Sequence, residues 1–583
     1  MGNRGRYWVI ASILTAALWA AGPSHAEDLA QPKAFNSKVA FDVYAVIGGK
    51  HQLVGRTPSV RPLTIPPCRW WYVAPLSLVD MEKVAQEVET KGIPGLRLWG
   101  ATGADIVPIE GLTALQFIDV THGQFNDYGL AGLAGLTGLQ ALSLTETLVT
   151  DAGLKYLKGL TALRELRLSN TQVTDAGLEY LEGLAALEEL DLSGTWVTGV
   201  GLEHLKGLAA LQVLHLGALR HIDAGLQHLK GLTALRHLDL RHANVTGVGL
   251  EDLGGLPVLR TLNLWGTDVT DAGLAHLKGL TALQVLDLSE TKITGAGLEH
   301  LKGLPALGTL NLRETQVTDA GLERLKGLPA LRTLDLRWTQ LTDAGLEHLK
   351  GLPALQSLNL CGTQVTDAGL KRLEGLAALE ELYLAGTRVT GLGLEHLKGL
   401  PELRELWLSG TELADGGLEH LQGLLALQAL NLLGPQIADA GLEHLKELKG
   451  LQRLNLTYTR VTDAGLEQLR ELKRLLRLNL AHTWVTDAGL EQLKGLTSLQ
   501  GLYLLATAVT DAGLEHLKGL TRLQYLDLRG TMITDAGLEH LKGLTALRTI
   551  LLSDTKVTDA GVNQLKKSLP DAVVSLDPSY RPD

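Results

Sequence analysis

Cysteine is nearly absent: the 583 residues hold two, Cys68 and Cys361. Stacked strands lie about 4.8 Å apart, which sets residues ten or more repeats apart at roughly 50 Å, so no intramolecular disulfide is expected. Aromatic residues make up 4% against 45% hydrophobic residues, so the core must be aliphatic. Basic residues are also in deficit, 53 Lys and Arg against 64 Asp and Glu, which argues against a general nucleic-acid or anionic-membrane binder. H-E-x-x-H, G-x-S-x-G and a P-loop glycine run are all missing, and with them the usual signatures of metal hydrolysis, acyl transfer and phosphate binding. The expectation is a non-catalytic chain with no cofactor and no metal.

Apolar runs are interrupted everywhere except near the N-terminus. There Arg4 and Arg6 precede an apolar run from Tyr7 to Ala21, followed by Ser24-His25-Ala26. This is the three-part pattern of a secretory signal cleaved after Ala26, at residues 1–26. The run is shorter than the ~20 residues that span a bilayer. A secreted or periplasmic protein with no membrane insertion after cleavage is expected, an uncleaved anchor being the alternative.

What the chain does have is self-similarity. Asn126-Asp127-Tyr128-Gly129-Leu130 begins a phrase that returns as Thr150-Asp151-Ala152-Gly153-Leu154 and continues every 24 residues to Thr558-Asp559-Ala560-Gly561-Val562. A fixed period of this length marks a stacked solenoid. Within one unit, Leu142 and Leu144 alternate and predict a short strand with both leucines inward. Asp151 reads as the residue capping a short helix from Ala152 to Lys158, and Gly199, Gly247, Gly295 and Gly391 read as alternative caps at the same position. A single unit has no layer to bury its leucines against, so stability must come from neighbouring units.

The consensus L-x-x-L-x-L-x-x-T-x-V-T-D-A-G-L-x-x-L-x-G-L resembles the leucine-rich-repeat family over about 490 residues. The T-D-A-G-L phrase resembles repeats of ribonuclease-inhibitor-like and F-box-associated proteins and of exported bacterial proteins. Thr147, Thr195 and Thr267 stand where the family usually places asparagine. No F-box is present, which with the leader disfavours an F-box-like adaptor role. The resemblance implies an α/β fold, a β-α solenoid horseshoe with a parallel sheet on the concave face and short helices on the convex face, binding proteins on the sheet. Right-handed connections are expected on general grounds.

The organisation expected is an N-terminal segment at 27–92, a solenoid of about 20 units at 93–561 and a closing strand and tail at 562–583. In the first segment, alternation from Val39 to Val46, a Gly48-Gly49 turn and a helix from Asp80 to Lys91 point to a cap over the first repeat or to a small separate domain. Ala572 to Leu576 reads as the last strand.

Residues flanking the inward leucines are free of core constraints, so partner binding is expected there. Asp239 and Asp287 fall in one column with Asp335, continued by Tyr383 and Trp407. Arg241, Arg313 and Arg337 fall in the next, with Trp265 and Trp338 nearby. Arginine and aromatic side chains dominate binding hot spots, whereas Asp-Arg neighbours also neutralise each other on plain surfaces. A histidine column including His204, His300 and His516 is read as a solvated helix face. The leading expectation is a protein-binding scaffold; glycan or envelope-polymer binding through exposed aromatics is the alternative.

Overall fold

A computed structural model describes residues 32–47, 50–59, 61–68 and 70–579. The leader, the Gly48-Gly49 turn and the last four residues of the tail lie outside them. The chain divides into two compact units, Met1–Leu307 and Gly308–Asp583.

The first unit begins with antiparallel strands. β1 (Lys33–Phe35) pairs with β4 (Leu63–Ile65), while β2 (Phe41–Ile47) lies between β3 (Lys50–Arg56) and β5 (Trp70–Pro75). Helix α1 (Met81–Lys91) follows. Asp80 caps it by accepting the Lys83 N–H at 3.3 Å, and Gly92 ends it in the left-handed conformation at φ 59°. β5 then pairs in parallel with β6 (Gly95–Arg97) through Val73 and Leu96, and β6 starts a run of parallel three-residue strands reaching Val285–Asp287. The antiparallel segment therefore continues the repeat sheet through β5.

The second unit repeats the arrangement from Thr309–Asn311 onward. Its final helix, Asp559–Ser568, is followed by Val573–Ser575, which pairs in parallel with Thr549–Leu551. In both units the central aliphatic residue of a repeat strand, leucine in most, faces its counterpart, as Leu190 faces Leu166 and Leu478 faces Leu454. These leucines and those of the helical turns, such as Leu178 and Leu490, are fully buried or nearly so. A buried leucine is worth roughly 1.5–3 kcal/mol, and here the burying surface belongs to the adjacent repeat.

The helical turns are short. Asp151–Leu154 forms one α-turn and Lys155–Leu157 tightens into a 3-10 turn. Their N-cap corrects the sequence reading where threonine stands first, as at Thr150, Thr246 and Thr342: it is the threonine, not the aspartate, whereas Gly391 does stand at the N-cap position expected of it. Thr150 Oγ1 accepts the Ala152 N–H at 3.3 Å, and Thr246, before Gly247, accepts that of Val248 at 3.3 Å. Gly247 is thus no substitute cap, because the cap never moved.

The aspartate serves the next repeat instead. Asp151 accepts the Thr174 N–H at 2.7 Å and the Thr174 hydroxyl at 2.6 Å, and Asp319 does the same to Thr342 at 2.8 and 2.6 Å. This carboxylate lies against the glycine of the following D-A-G-L; a Cβ on Gly177 would stand 2.5 Å from Asp151 Oδ1. Where glycine replaces aspartate, at Gly199 and Gly391, the backbone of the next repeat closes in on it at Gly225 and Gly417. The threonine of the T-x-V phrase also acts locally: Thr147 donates to the Leu144 carbonyl at 2.7 Å and Thr483 to Leu480 at 2.6 Å.

Candidate binding face

The residue between the two strand leucines points away from the core, onto the sheet face. In most repeats it is Asp or Asn, and its oxygen accepts the N–H two residues on. Asp239 bonds Arg241 at 3.1 Å, Asn263 bonds Trp265 at 3.0 Å, Asp335 bonds Arg337 at 3.0 Å and Asn479 bonds Ala481 at 3.0 Å. Such Asx turns end a strand by satisfying a backbone donor. Stacking of neighbouring repeats leaves Asp239, Asn263 and Asp335 buried, Asp239 at 1% exposure, and Asn479 half-buried.

Of the proposed site residues, Asp239, Arg241, Trp265 and Asp287 lie in the first unit. Arg241 Nη2 sits 2.8 Å from Asp239 Oδ2, and His215 Nδ1 approaches the same oxygen at 3.5 Å. His215 faces Asp191 on one neighbouring strand and Asp239 on the other. Burial opposes its charge, but the hydrogen bond with Asp239 and the charges of Asp191, Asp239 and Glu189 outweigh burial and raise its pKa. Asp239 shows the converse: burial favours its neutral form, yet His215 and Arg241 hold it below the usual carboxylate range. Trp265 is half-buried with its ring 4.5 Å from that of His242, and Asp287 accepts the Ser289 N–H at 2.9 Å.

Arg313, Asp335, Arg337, Trp338, Tyr383 and Trp407 lie in the second unit. Arg337 grips Asp335 through Nε at 2.9 Å and Nη2 at 2.7 Å, and Arg313 pairs with Glu314. Trp338 lies outside the strand. It occupies the turn after it at φ 57°, is 59% exposed, and its ring fills the space over Gly362. Tyr383 and Trp407 face each other in register on adjacent strands, ring centroids 5.4 Å apart. The Tyr383 hydroxyl donates to Glu381 at 3.1 Å, Glu381 accepts the Ser357 hydroxyl at 2.8 Å, and Glu405 pairs with Arg453. Burial is the main reason the Tyr383 phenol is pushed to a high pKa, so it stays a neutral donor.

Sequence reasoning missed a cluster at the start of the first unit. Arg97 reaches Asp119 at 2.8 Å and lies over the rings of Tyr72 at 4.8 Å, Tyr44 at 5.7 Å and Trp99 at 5.7 Å. Tyr72 packs with Val46, Phe117 and Ala141 in an apolar cluster, and its hydroxyl lies 2.9 Å from His51 Nδ1. The signal available was Arg97 and Asp119 at equivalent strand positions of the first units. Among the described residues, no group of three or more His, Cys, Asp or Glu side chains is placed to hold a metal, and no helix is long and apolar enough to cross a membrane.

A family model described as a leucine-rich repeat region matches residues 199–441, and one for a single leucine-rich repeat matches 159–181, 185–206 and 451–469. No curated protein matches the chain. Among solved structures, that of a TLR13–ssRNA13 complex is similar at TM-score 0.53 and 20% identity, covering 76% of this chain and 70% of that one. An internalin from Listeria monocytogenes is similar at TM-score 0.33 and 20% identity over 68% of this chain and 88% of that one. A protein of Leptospira interrogans is similar at TM-score 0.35 and 19% identity, over 76% and 91% respectively.

Proposed function

We propose that this leucine-rich-repeat solenoid is an exported, non-catalytic binding protein that holds a protein partner on the sheet face of its second unit, around Tyr383 and Trp407. One observation carries the reading. Most repeats place Asp or Asn at this strand position and gain an Asx bond, as at Asn359 and Asn431. Tyr383 and Trp407 have no oxygen placed to make it, so two consecutive repeats forgo a bond worth about 1 kcal/mol. Trp407, half-buried, supplies what recurs at interface hot spots, a broad apolar face with a polar handle, and the buried Tyr383 ring packs beside it. Flanking Glu381, Glu405 and Arg453 provide a polar border.

Export rests on the leader pattern of residues 1–26. The T-D-A-G-L phrase resembles that of exported bacterial leucine-rich-repeat proteins, in keeping with a secreted or periplasmic scaffold. Arg337 and Trp338 belong to the same proposed face; the first-unit residues Arg241 and Trp265 form a separate candidate surface.

The test is site-specific photo-crosslinking in the native host with benzoylphenylalanine at Trp407 or, on the helical side, at His420. A discrete protein adduct from position 407 and none from 420 is the expected result. Equal adducts from both, or none from 407, contradicts it.

A further inference from the structure

After the strands of the repeats the chain takes a residue at positive φ. In the second unit glycine takes that position at Gly362, Gly386, Gly410 and Gly530, with φ of 64–70°. Tyr458 and His482 hold the same backbone at φ 60° and 56°, as Glu314, Trp338, Ala506 and Asp554 do at 54–57°, a conformation that costs an L residue about 1–2 kcal/mol. Neither ring repays this by filling the core. Tyr458 is 53% exposed, and the two rings stack on each other 4.2 Å apart with 6° between their planes.

Two residues further on in the same repeats stand Arg460 and Trp484. Their N–H groups donate to the preceding repeat at equivalent places, Ile437 at 2.8 Å and Val461 at 3.0 Å, so the side chains occupy adjacent places in one column. Trp484 is 64% exposed. In the repeat before, the Gln436 amide oxygen would stand 2.7 Å from a Cβ on Gly434, so that amide lies beside the open place next to Tyr458. The chain carries a formal charge of −11, yet the equivalent positions from Leu433 to Met532 hold no Asp or Glu.

We infer that Tyr458, His482, Arg460 and Trp484, with Gln436, form a polysaccharide-binding patch separate from the Tyr383–Trp407 face. A pyranose ring presents axial C–H groups bearing partial positive charge, which the negative face of Trp484 or Tyr458 attracts. Its rim of hydroxyls needs fixed donors and acceptors, which the guanidinium, the amide, the imidazole and the phenol provide. The absence of carboxylates from these positions beyond Glu412 lessens repulsion toward a uronate-bearing chain without demanding one. A nucleic acid fits less well, since it needs an array of cations.

Native affinity electrophoresis of the full chain tests this, with hydroxyethylcellulose as a neutral glucan in one gel and alginate as a uronate polymer in another. The parent should be retarded in at least one gel. Tyr458→Gly and Trp484→Ala should each weaken the retardation about fivefold or more, and Tyr458→Gly suits the positive φ, so its loss of binding is not a loss of fold. Trp407→Asn should leave retardation unchanged, which separates this patch from the proposed protein site. Unretarded parent protein in both gels, undiminished retardation of the Tyr458 and Trp484 variants, or abolition by Trp407→Asn overturns the inference.

Discussion

The carboxylate of Asp463 holds Thr486, in the next repeat, at two points: the backbone N–H at 2.7 Å and the hydroxyl at 2.6 Å. The period of the chain is thus also its fastening, since in T-D pairs such as Thr174-Asp175 and Thr486-Asp487 the threonine is held from behind while the aspartate reaches forward. Asp463→Ala removes both bonds and should destabilise that part of the stack by about 2 kcal/mol, hydrogen bonds to a charged partner being the stronger kind. Asp463→Asn keeps an acceptor for the N–H and should cost less than half as much. Amide exchange at Thr486, compared with Thr534, reads both; equal protection in parent and Asp463→Ala contradicts the fastening role.

Two glycines separate a flexible obstacle from a rigid one. A Cβ on Gly489 would overlap the Asp463 carboxylate, a side chain that can swing away, whereas one on Gly225 would overlap the backbone of Gly199. Gly225→Ala should therefore lower stability by about 3 kcal/mol and Gly489→Ala by about 2, overpacking typically costing 1–3 kcal/mol. Urea unfolding of the two variants measures the difference, and the reverse order would refute the account.

Acid should loosen the start of the first unit through His51. Burial, then the charges of Arg97 and Arg167, lower its pKa from 6.5 to about 4. The unfolded chain therefore binds the proton more readily. This contribution to stability is complete above the unfolded value and shrinks as pH falls from 6.5 toward 4. Exchange of the β2, β3 and β5 amides, corrected for intrinsic rates, should rise across that window, and His51→Gln should flatten the rise. An NMR titration midpoint near 6.5 would show the imidazole to be unburied.

Trp338 offers a variant that changes the surface without endangering the fold. At φ 57° and 59% exposure, it bears backbone strain that glycine relieves. Trp338→Gly should unfold within about 1 kcal/mol of the parent, relief of strain offsetting the greater freedom of the unfolded chain. A loss of several kcal/mol would assign the indole to packing.

The leucine columns, α1 and the closing strand were legible because each depends on a local period or a local cap. The Asp–Thr fastening was not. Within one repeat both Thr150 and Asp151 are good N-caps, and only the stacked neighbour shows that threonine takes the cap while aspartate crosses to Thr174. The sheet-face column was legible as a column but not in its use. Asp239 and Asp335 are occupied by Asx turns and arginine pairs, so Tyr383 and Trp407 stand out only once the usual job of that position is known. Tyr458 and His482 were invisible for a similar reason: positive φ at a non-glycine leaves no mark in the sequence.

The most direct test of the binding-face account is affinity capture from envelope and secreted extracts, with the parent compared against the Trp407→Asn variant. Trp407 is half-buried and asparagine restores the Asx bond that neighbouring repeats make, so the variant should stay close to the parent in thermal stability while losing the indole. The account predicts a discrete protein retained by the parent and lost by the variant. Retention of the same protein by both at equal stability would contradict the assignment of Trp407 as its anchor.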